Sequence, residues 1–174
     1  MRKIIGYLLT PIFYLFFGLF LLIFHPIQWL CLNLGGYASH KKSVDILNFF
    51  LTYCNCLMLN SVTFIDNKSL PLGEPIIFVA NHQSTFEIPG LIYFLRRFHG
   101  KFISKKELAS GIPSISFNLK YGGAANIDRN DPKQAVAEIL KLANNMKTKN
   151  WSAFIFPEGT RTKNGQMKAF HVGG

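Results

Sequence analysis

Acidic residues are scarce in this 174-residue chain. Asp and Glu together number 9 against 19 Lys and Arg, which gives a formal net charge of +10. A surplus of this kind suits partners that carry negative charge, namely nucleic acid, an anionic membrane or a phosphorylated substrate. Nucleic acid is the least favoured of the three. The aromatic residues concentrate in the apolar segments rather than among the basic ones.

Cysteine is also rare. Cys31, Cys54 and Cys56 are odd in number, and their spacing matches no usual zinc or redox pair. We therefore expect three reduced cysteines in apolar surroundings and a domain that faces the cytosol. The sequence shows no cluster of metal-ligating residues, so no metal is expected.

The chain lacks any Lys, Arg, Asp or Glu from Ile4 to His40. Within this stretch residues 4–24 form an apolar run of 21 residues, close to the roughly 20 that cross a bilayer as a helix. A cleaved signal peptide is disfavoured, because the run is too long and no small-x-small site follows it. Residues 1–60 are predicted to anchor the chain to a membrane.

Features that can bend the anchor occur along it. Pro11, Pro26 and the glycine pair 35–36 can each bend a helix, and basic pairs flank the segment at 2–3 and 41–42. A single span would place one basic pair on the wrong side of the membrane. The pattern therefore favours a bent, shallowly inserted helix pair, with a simple span as the alternative.

Residues 43–59 continue as a predicted helix. Val44, Leu47, Leu51 and Met58 fall on one apolar face. Packing against a protein core and contact with a membrane explain this face equally well.

After Ser61 short apolar runs alternate with helical patterns. Strands are predicted at 62–65, 76–80, 102–104, 124–127 and 152–156, and helices at 87–97 and 131–147. Strands separated by helices of this length indicate an α/β fold with a mostly parallel sheet flanked by helices.

The helix at 131–147 has the clearest start signals. Asp131 can cap it and Pro132 suits its first position. Its buried face is predicted to consist of Val136, Ile139, Leu140 and Ala143.

Three polar clusters follow three of the predicted strands directly. They are "NHQSTFE" (81–87), "IDR" (127–129) and "PEGTR" (157–161). Binding sites of open α/β sheets gather at the carboxyl ends of the strands. We therefore expect all three clusters at one rim of the sheet.

A histidine and a carboxylate stand five positions apart in the first cluster. His82 alone would be an ordinary loop residue, but Glu87 can accept from its Nδ1 and leave Nε2 free to take a proton. Ser84 and Thr85 do not lie in a Gly-x-Ser-x-Gly elbow, so they are interpreted as loop hydrogen-bonding residues.

The third cluster combines a tight glycine turn with a cation. Backbone N–H groups at Gly159 and Thr160, with the Arg161 guanidinium, form a plausible phosphate site. Glu158 can hold this loop or contact a substrate hydroxyl, and Arg129 offers a second cation. A structural turn with a solvated arginine is the simpler alternative.

In combination these residues resemble the lysophospholipid acyltransferases typified by bacterial 1-acyl-glycerol-3-phosphate acyltransferase. The family signature Asn-His-x4-Asp is matched by "NHQSTFE", its Gly-rich stretch by "YGGAANIDR" and its Phe-Pro-Glu-Gly-Thr-Arg-Ser by "FPEGTRT". Glu87 replaces the commoner Asp. The chain stops at "AFHVGG" (169–174), before a fourth family signature, so we expect a fold truncated at its C-terminal end.

The resemblance implies a glycerolipid acyltransferase-like catalytic domain at 61–174. It would move an acyl chain from acyl-CoA or acyl carrier protein to the free hydroxyl of lysophosphatidic acid and produce phosphatidic acid for phospholipid biosynthesis. His82 would act as the base and Glu87 would orient it. The resemblance also assigns binding of the phosphate or glycerol end to a second group, which comprises Arg129, Glu158, Gly159, Thr160 and Arg161.

The same resemblance implies no cofactor beyond the acyl thioester. It places the catalytic domain on the cytoplasmic face of the inner membrane, in contact with membrane lipids. The alternatives are an acyltransferase for another lyso-lipid or for glycerol-3-phosphate, a serine lipid hydrolase that uses Ser84, and a non-catalytic module that binds acidic lipids.

Overall fold

The structure is a computed structural model that describes residues 2–65, 70–162 and 165–170, with side chains from residue 4 onward. The side chains of the basic pair at 2–3 lie outside the described residues. The predicted catalytic domain, 61–174, is described apart from residues 66–69, 163–164 and 171–174.

The chain begins with a long helix, α1 (Arg2–Tyr53), that is broken once. At Gly36 the backbone takes φ 67° and ψ −166°, a region that is essentially restricted to glycine. Pro11 and Pro26 both lie inside the helix without ending it. The predicted helix pair is therefore confirmed, and the break between its two arms is at Gly36. The depth of insertion in a membrane stays a prediction.

The two arms of α1 fold back on each other. The rings of Phe20 and Phe50 stack with their centroids 4.9 Å apart. Leu21 and Phe24 of the first arm form a buried cluster with residues of the second arm. The second arm contributes Leu47 and Leu51 to this cluster. Burial of an apolar face on each arm stabilises the hairpin, so core packing explains the apolar face of 43–59.

The outer surface of α1 remains apolar and exposed. The most exposed of the large apolar side chains on its first arm include Tyr7, Leu8, Leu15 and Leu34. Ile4–Met58 is long and apolar enough to cross a membrane, judged by length and composition alone. An exposed apolar surface of this size suits a membrane-associated protein.

Among the described residues, four strands form one parallel sheet in the order β1-β4-β2-β3. The strands are β1 (Ile77–Val79), β2 (Lys101–Lys105), β3 (Ala125–Ile127) and β4 (Ala153–Ile155). The helices between them are α2 (Glu87–Phe94), α3 (Ile115–Tyr121) and α4 (Pro132–Lys149), with short 3-10 turns at Cys54–Met58, Arg96–Phe98 and Lys106–Ala109. The predicted parallel α/β sheet is confirmed.

Each face of the sheet is covered by a different helix. Phe78, Phe102 and Phe154 project from one face into a cluster that also contains residues of α2. On the other face Ala125 and Ala153 pack against Leu142 of α4. Because α1 packs on α2 and α3, the apolar hairpin lies on the α2 side of the sheet and α4 covers the opposite side.

Polar contacts fix α1 to the domain at two places. Ser114 donates its N–H to His25 Nδ1 at 3.0 Å and its hydroxyl to the carbonyl of Leu21 at 2.7 Å. Near the break, Lys101 Nζ donates to the Tyr37 hydroxyl at 2.6 Å. Burial of this ammonium group lowers the pKa of Lys101 to about 7. Because these contacts lie at Leu21, His25 and Tyr37 of α1, they hold more than ten residues of the hairpin against the domain.

One predicted strand is not found in the structure, and one helix of the structure was not predicted. The strand predicted at 62–65 is wrong, because this segment pairs with no strand in the described part of the chain and Phe64 instead stacks on Phe94 with ring centroids 4.8 Å apart. Helix α3 was not predicted, because it follows a segment rich in Gly and Ser. Its start depends on the hydroxyl of Ser116, which accepts from the N–H of Ile112 at 2.9 Å.

Helix α4 starts as predicted but buries another face. Asp131 caps it by accepting from the N–H of Gln134 at 3.0 Å, and Pro132 is its first residue. The predicted buried face is wrong, since Val136 and Leu140 are 55% and 64% exposed while Leu142 is buried. The helix carries two apolar stripes, and the position of the sheet decides which one is covered.

Candidate active site

The loop after β1 is tied to the loop after β4. These strands are neighbours in the sheet, and the N–H of Ala80 still donates to the carbonyl of Ile155 at 3.1 Å. Beyond this point, His82 donates its N–H to Glu158 at 2.9 Å and accepts from the N–H of Thr162 at 2.8 Å. The backbone of His82 is therefore held from both sides before its side chain makes any contact.

A carboxylate grips the His82 ring. Glu87 stands at the first position of α2, and its Oε1 lies 2.5 Å from His82 Nδ1. Its Oε2 accepts from the N–H groups of Gln83 at 3.2 Å and Ser84 at 3.1 Å. A carboxylate in this place fixes the tautomer with the proton on Nδ1. It leaves Nε2 with no hydrogen-bond partner among the described residues.

An aromatic ring sets the plane of the imidazole. Phe156 stacks on His82 with ring centroids 4.3 Å apart and an interplanar angle of 20°. The His82 side chain keeps 17% of its surface exposed, so it is packed and still open to an incoming molecule. A ring held by stacking and by one hydrogen bond has little rotational freedom, which favours a base in a fixed position.

Glu158 is fully buried beneath the two loops. Its carboxylate accepts from the N–H of Lys168 at 3.0 Å and from that of His82 at 2.9 Å. These two N–H groups, with that of Lys168 first, hold the pKa of Glu158 below its ordinary value. The arrangement makes Glu158 the carboxylate that joins three segments of the site. A contact between Glu158 and a substrate hydroxyl stays a prediction.

The glycine turn after β4 aims Arg161 at the histidine loop. Gly159 adopts φ 64° and donates its N–H to the carbonyl of Phe156 at 2.9 Å, which closes a tight turn. Two residues later, Arg161 Nη1 donates to the Thr85 hydroxyl at 2.6 Å. Arg161 therefore lies beside the loop that carries His82.

The cation after β3 reaches the same turn. Arg129 Nη2 donates to the carbonyl of Gly159 across the intervening strand β2. Lys168 Nζ donates to the Thr160 hydroxyl at 3.1 Å and to the carbonyl of Arg161 at 2.9 Å. All seven residues singled out in the sequence therefore meet at one rim of the sheet.

Sequence reasoning missed three residues of this region. Lys168 carries no motif that marks it, and Phe156 looks like the last residue of a buried strand. Phe86 contacts α1, with its ring centroid 4.9 Å from that of Phe13 and 5.7 Å from that of Phe17. Phe86 could have been noticed as the one large apolar residue in a polar loop. It places the histidine loop against the apolar hairpin.

Ser84 has a local role in the loop. Its hydroxyl accepts from the N–H of Phe86 at 3.1 Å, and no hydrogen bond joins it to His82 among the described residues. Among the same residues no group of three His, Cys, Asp or Glu side chains is placed to hold a metal ion. The site thus offers a positioned base and nearby cations.

A parallel α/β domain with a carboxylate-oriented histidine and an arginine at the ends of adjacent strands can activate a hydroxyl group of a phosphorylated molecule. The family model named Acyltransferase matches residues 61–174. The chain belongs to the acyltransferase family.

Relatives of known name share this part of the chain. The 1-acyl-sn-glycerol-3-phosphate acyltransferase LPAT1, chloroplastic, of Arabidopsis thaliana is 36% identical over 107 residues, which are 61% of this chain and 29% of the relative. The 1-acyl-sn-glycerol-3-phosphate acyltransferase alpha of Ovis aries is 29% identical over 137 residues, 78% of this chain and 47% of the relative. The chain therefore spans about half or less of the length of these relatives.

A solved structure matches the whole fold. The crystal structure of the 1-acyl-sn-glycerophosphate acyltransferase PlsC from Thermotoga maritima aligns with a TM-score of 0.76 and 26% sequence identity. The alignment covers 99% of this chain and 68% of that chain. The likeness includes α1, so the hairpin and the sheet together belong to the shared fold.

Proposed function

We propose that the chain transfers an acyl group from an acyl thioester to the free hydroxyl of 1-acyl-glycerol-3-phosphate. The observation that carries this proposal is the His82 Nδ1–Glu87 contact of 2.5 Å in a loop that also contacts Arg161. A base oriented in this way suits removal of a proton from a hydroxyl group. The names of the relatives and of the matching structure agree with this acceptor.

The reaction needs no covalent intermediate on the enzyme. His82 Nε2 accepts the proton of the acceptor hydroxyl while its oxygen attacks the thioester carbonyl carbon. The tetrahedral intermediate then collapses, the C–S bond breaks and the imidazolium returns the proton to the thiolate. Glu87 stabilises the imidazolium between the two steps by accepting from Nδ1.

The cations hold the acceptor in this mechanism. Arg161 offers a planar set of N–H donors beside the histidine loop, and such a group pairs well with a phosphate. Arg129 supports the turn that carries Arg161 and adds positive charge next to it. The Phe86 contact with α1 gives the acyl chains an apolar path towards the hairpin. Acyl-CoA and acyl carrier protein both satisfy the donor chemistry.

The same arrangement supports a location for the chain. The exposed apolar face of α1 would lie in the lipid layer, and the catalytic loop next to it would meet a lipid acceptor without extracting it fully. We place the catalytic domain on the cytoplasmic side of the inner membrane, where acyl thioesters are made. Three reduced cysteines fit that side.

The proposal is tested by acyl transfer to lysophosphatidic acid in mixed micelles, with radiolabelled acyl-CoA as the donor. His82→Ala should lower kcat by about 10²–10⁴, which is the typical contribution of a general base. His25→Asn is the control. Residue 25 lies outside the site, and an asparagine there keeps an acceptor for the N–H of Ser114. Near-normal turnover by His82→Ala would overturn the proposed base.

Arg161 is tested in the same assay. Arg161→Ala should raise KM for the phosphorylated acceptor by roughly 10–100-fold, since a hydrogen bond to a charged group contributes about 1.5–3 kcal/mol. Arg161→Lys should recover part of this loss. An unchanged KM would place the phosphate elsewhere. A panel of lyso-lipids and glycerol-3-phosphate as acceptors identifies the preferred one.

The hydrolase alternative is tested on the same protein. A serine nucleophile would require a hydrogen bond between Ser84 and the base, whereas the Ser84 hydroxyl accepts from the N–H of Phe86. A fluorophosphonate probe should therefore leave Ser84 unlabelled. Rapid labelling at Ser84 would replace the transferase proposal with a hydrolase.

A further inference from the structure

Helix α4 presents an apolar and basic stripe to solvent. The α4 stripe consists of the exposed side chains of Lys133, Val136, Leu140, Ala143 and Lys147. These residues follow one another at helical spacing, so they share one face of α4. Val136 and Leu140 form its centre and are 55% and 64% exposed. The stripe thus has an apolar centre with a lysine at each end.

The stripe carries no acidic residue. Glu138 is the one acidic residue within α4, and it points to the side of the helix where Lys141 Nζ lies 3.9 Å away. The Lys141 side chain lies on that other side of the helix with Glu138, so it is not part of the stripe. Protein–protein interfaces have an apolar core and a polar rim, and the positive charge at the ends of this stripe selects an acidic partner.

The stripe faces away from the apolar hairpin. The inner face of α4 contributes Leu142 to the core on one side of the sheet, whereas α1 packs against α2 and α3 on the other side. If the exposed face of α1 lies in lipid, the α4 stripe faces the aqueous phase. This position favours a water-soluble partner over an anionic membrane.

The stripe begins next to the candidate active site. Asp131 caps α4, and Arg129, two residues earlier, donates to the carbonyl of Gly159 in the turn that leads to Arg161. Lys133 at the first turn of α4 is therefore close to the rim that holds His82. A partner seated on the stripe would present a flexible reactive arm to that rim.

We propose that the α4 stripe is the docking surface for an acidic, water-soluble protein that carries the acyl chain as a thioester. The inference rests on the proposed function, because it names the source of the acyl group. Lys133 and Lys147 steer the acidic carrier, and Val136 and Leu140 pack against an apolar region on it. A small-molecule donor such as acyl-CoA has no need of this surface.

The experiment compares two donors with the same acyl chain, acyl carrier protein and acyl-CoA. Binding of fluorescently labelled acyl carrier protein to the chain in detergent micelles is measured by anisotropy, which requires no turnover. Acyl transfer from each donor to lysophosphatidic acid is measured separately. The variant is Lys133→Glu with Leu140→Glu, and the control is Lys120→Glu, an exposed lysine of α3 outside the stripe.

The double variant should weaken carrier binding at least about tenfold and raise KM for the carrier-bound donor by a similar factor. Its KM for acyl-CoA and all parameters of Lys120→Glu should stay unchanged. Carrier binding that the double variant leaves intact would overturn the docking proposal, as would an equal loss with both donors. The proposal would also be overturned if the double variant lost binding to phosphatidylglycerol vesicles but still bound the carrier.

Failure of the proposed function is a different result. A native chain that transfers from neither donor, but binds the carrier through the stripe, would remove the transferase activity and keep the docking surface. A native chain that transfers from acyl-CoA, but does not bind the carrier, would keep the activity and remove the docking surface.

Discussion

The Glu87 carboxylate makes three contacts with the histidine loop. It contacts His82 Nδ1 through one oxygen and the N–H groups of Gln83 and Ser84 through the other. The same side chain therefore shapes the loop and orients the His82 imidazole. Glu87, the first residue of α2, is close enough to accept from all three donors.

Two replacements of Glu87 test the effect of its charge and the effect of its size separately. Glu87→Gln keeps an oxygen for Nδ1–H but loses the negative charge, so kcat for acyl transfer should fall by about 10²–10⁴. Glu87→Asp keeps the charge and should lose less. The measurement is kcat for both variants alongside thermal unfolding in detergent, which shows whether the loop is still folded. Full activity in Glu87→Gln would show that the carboxylate is not needed for the imidazolium.

At the residue scale the sequence predicted some contacts and not others. A spacing of five across a strand–loop–helix junction was enough to expect the His82–Glu87 contact, because both residues belong to one short segment. The place of Glu158 was not predictable to the same degree. Its two N–H donors come from His82, 76 positions earlier, and Lys168, 10 positions later, and only the folded chain brings them together.

The break in α1 is the element on which the hairpin depends. Gly36 has backbone angles that strain any residue with a Cβ, even though a Cβ at this position would meet open space. Gly36→Ala should therefore lower the free energy of unfolding by about 1–3 kcal/mol through backbone strain alone. Thermal unfolding in detergent micelles measures this loss.

Gly18→Ala is the matched control for the break. A Cβ at Gly18 would also meet open space, but this residue lies inside the first helical arm. The substitution should be neutral or stabilise the helix by up to about 1 kcal/mol. Equal effects of the two substitutions would mean that the turn at residue 36 does not require glycine.

Elements were predicted well where local signals agree. The capping of α4 by Asp131, the strands at 76–80 and 152–156 and the helix after His82 all follow from short-range patterns. The strand predicted at 62–65 fails because three apolar residues and a threonine fit a strand or an irregular segment equally well, and no strand of the described residues pairs with them. The buried face of α4 was assigned wrongly because the helix has two apolar stripes, and periodicity cannot say which one meets the sheet.

At the scale of the whole molecule, apolar surface rather than net charge should hold the chain on a membrane. The hairpin exposes many large apolar side chains, whereas charge attraction is screened within a few ångströms in concentrated salt. Binding to zwitterionic vesicles should therefore persist at about 1 M salt. Vesicle flotation with the purified chain measures this binding.

The residues responsible can be identified in the same assay. Leu8 and Leu15 are 68% and 67% exposed on the first arm of α1, and their replacement by Lys should weaken binding at least about tenfold. Leu72→Lys is the control, since Leu72 is equally exposed but lies in a loop of the domain. Vesicle binding that concentrated salt abolishes would show that the basic residues hold the chain instead.

The sequence by itself determined the kind of chain and the local contacts within its motifs. Apolar run length, strand–helix alternation and the spacing of His82 to Glu87 are local properties, so they can be recognised without coordinates. The tertiary structure decided which distant segments meet. The order β1-β4-β2-β3 makes the first and third motifs neighbours, and the packing of α1 on α2 puts the apolar hairpin beside the histidine loop. Long-range contacts of this kind depend on how whole faces are buried, which no local pattern encodes.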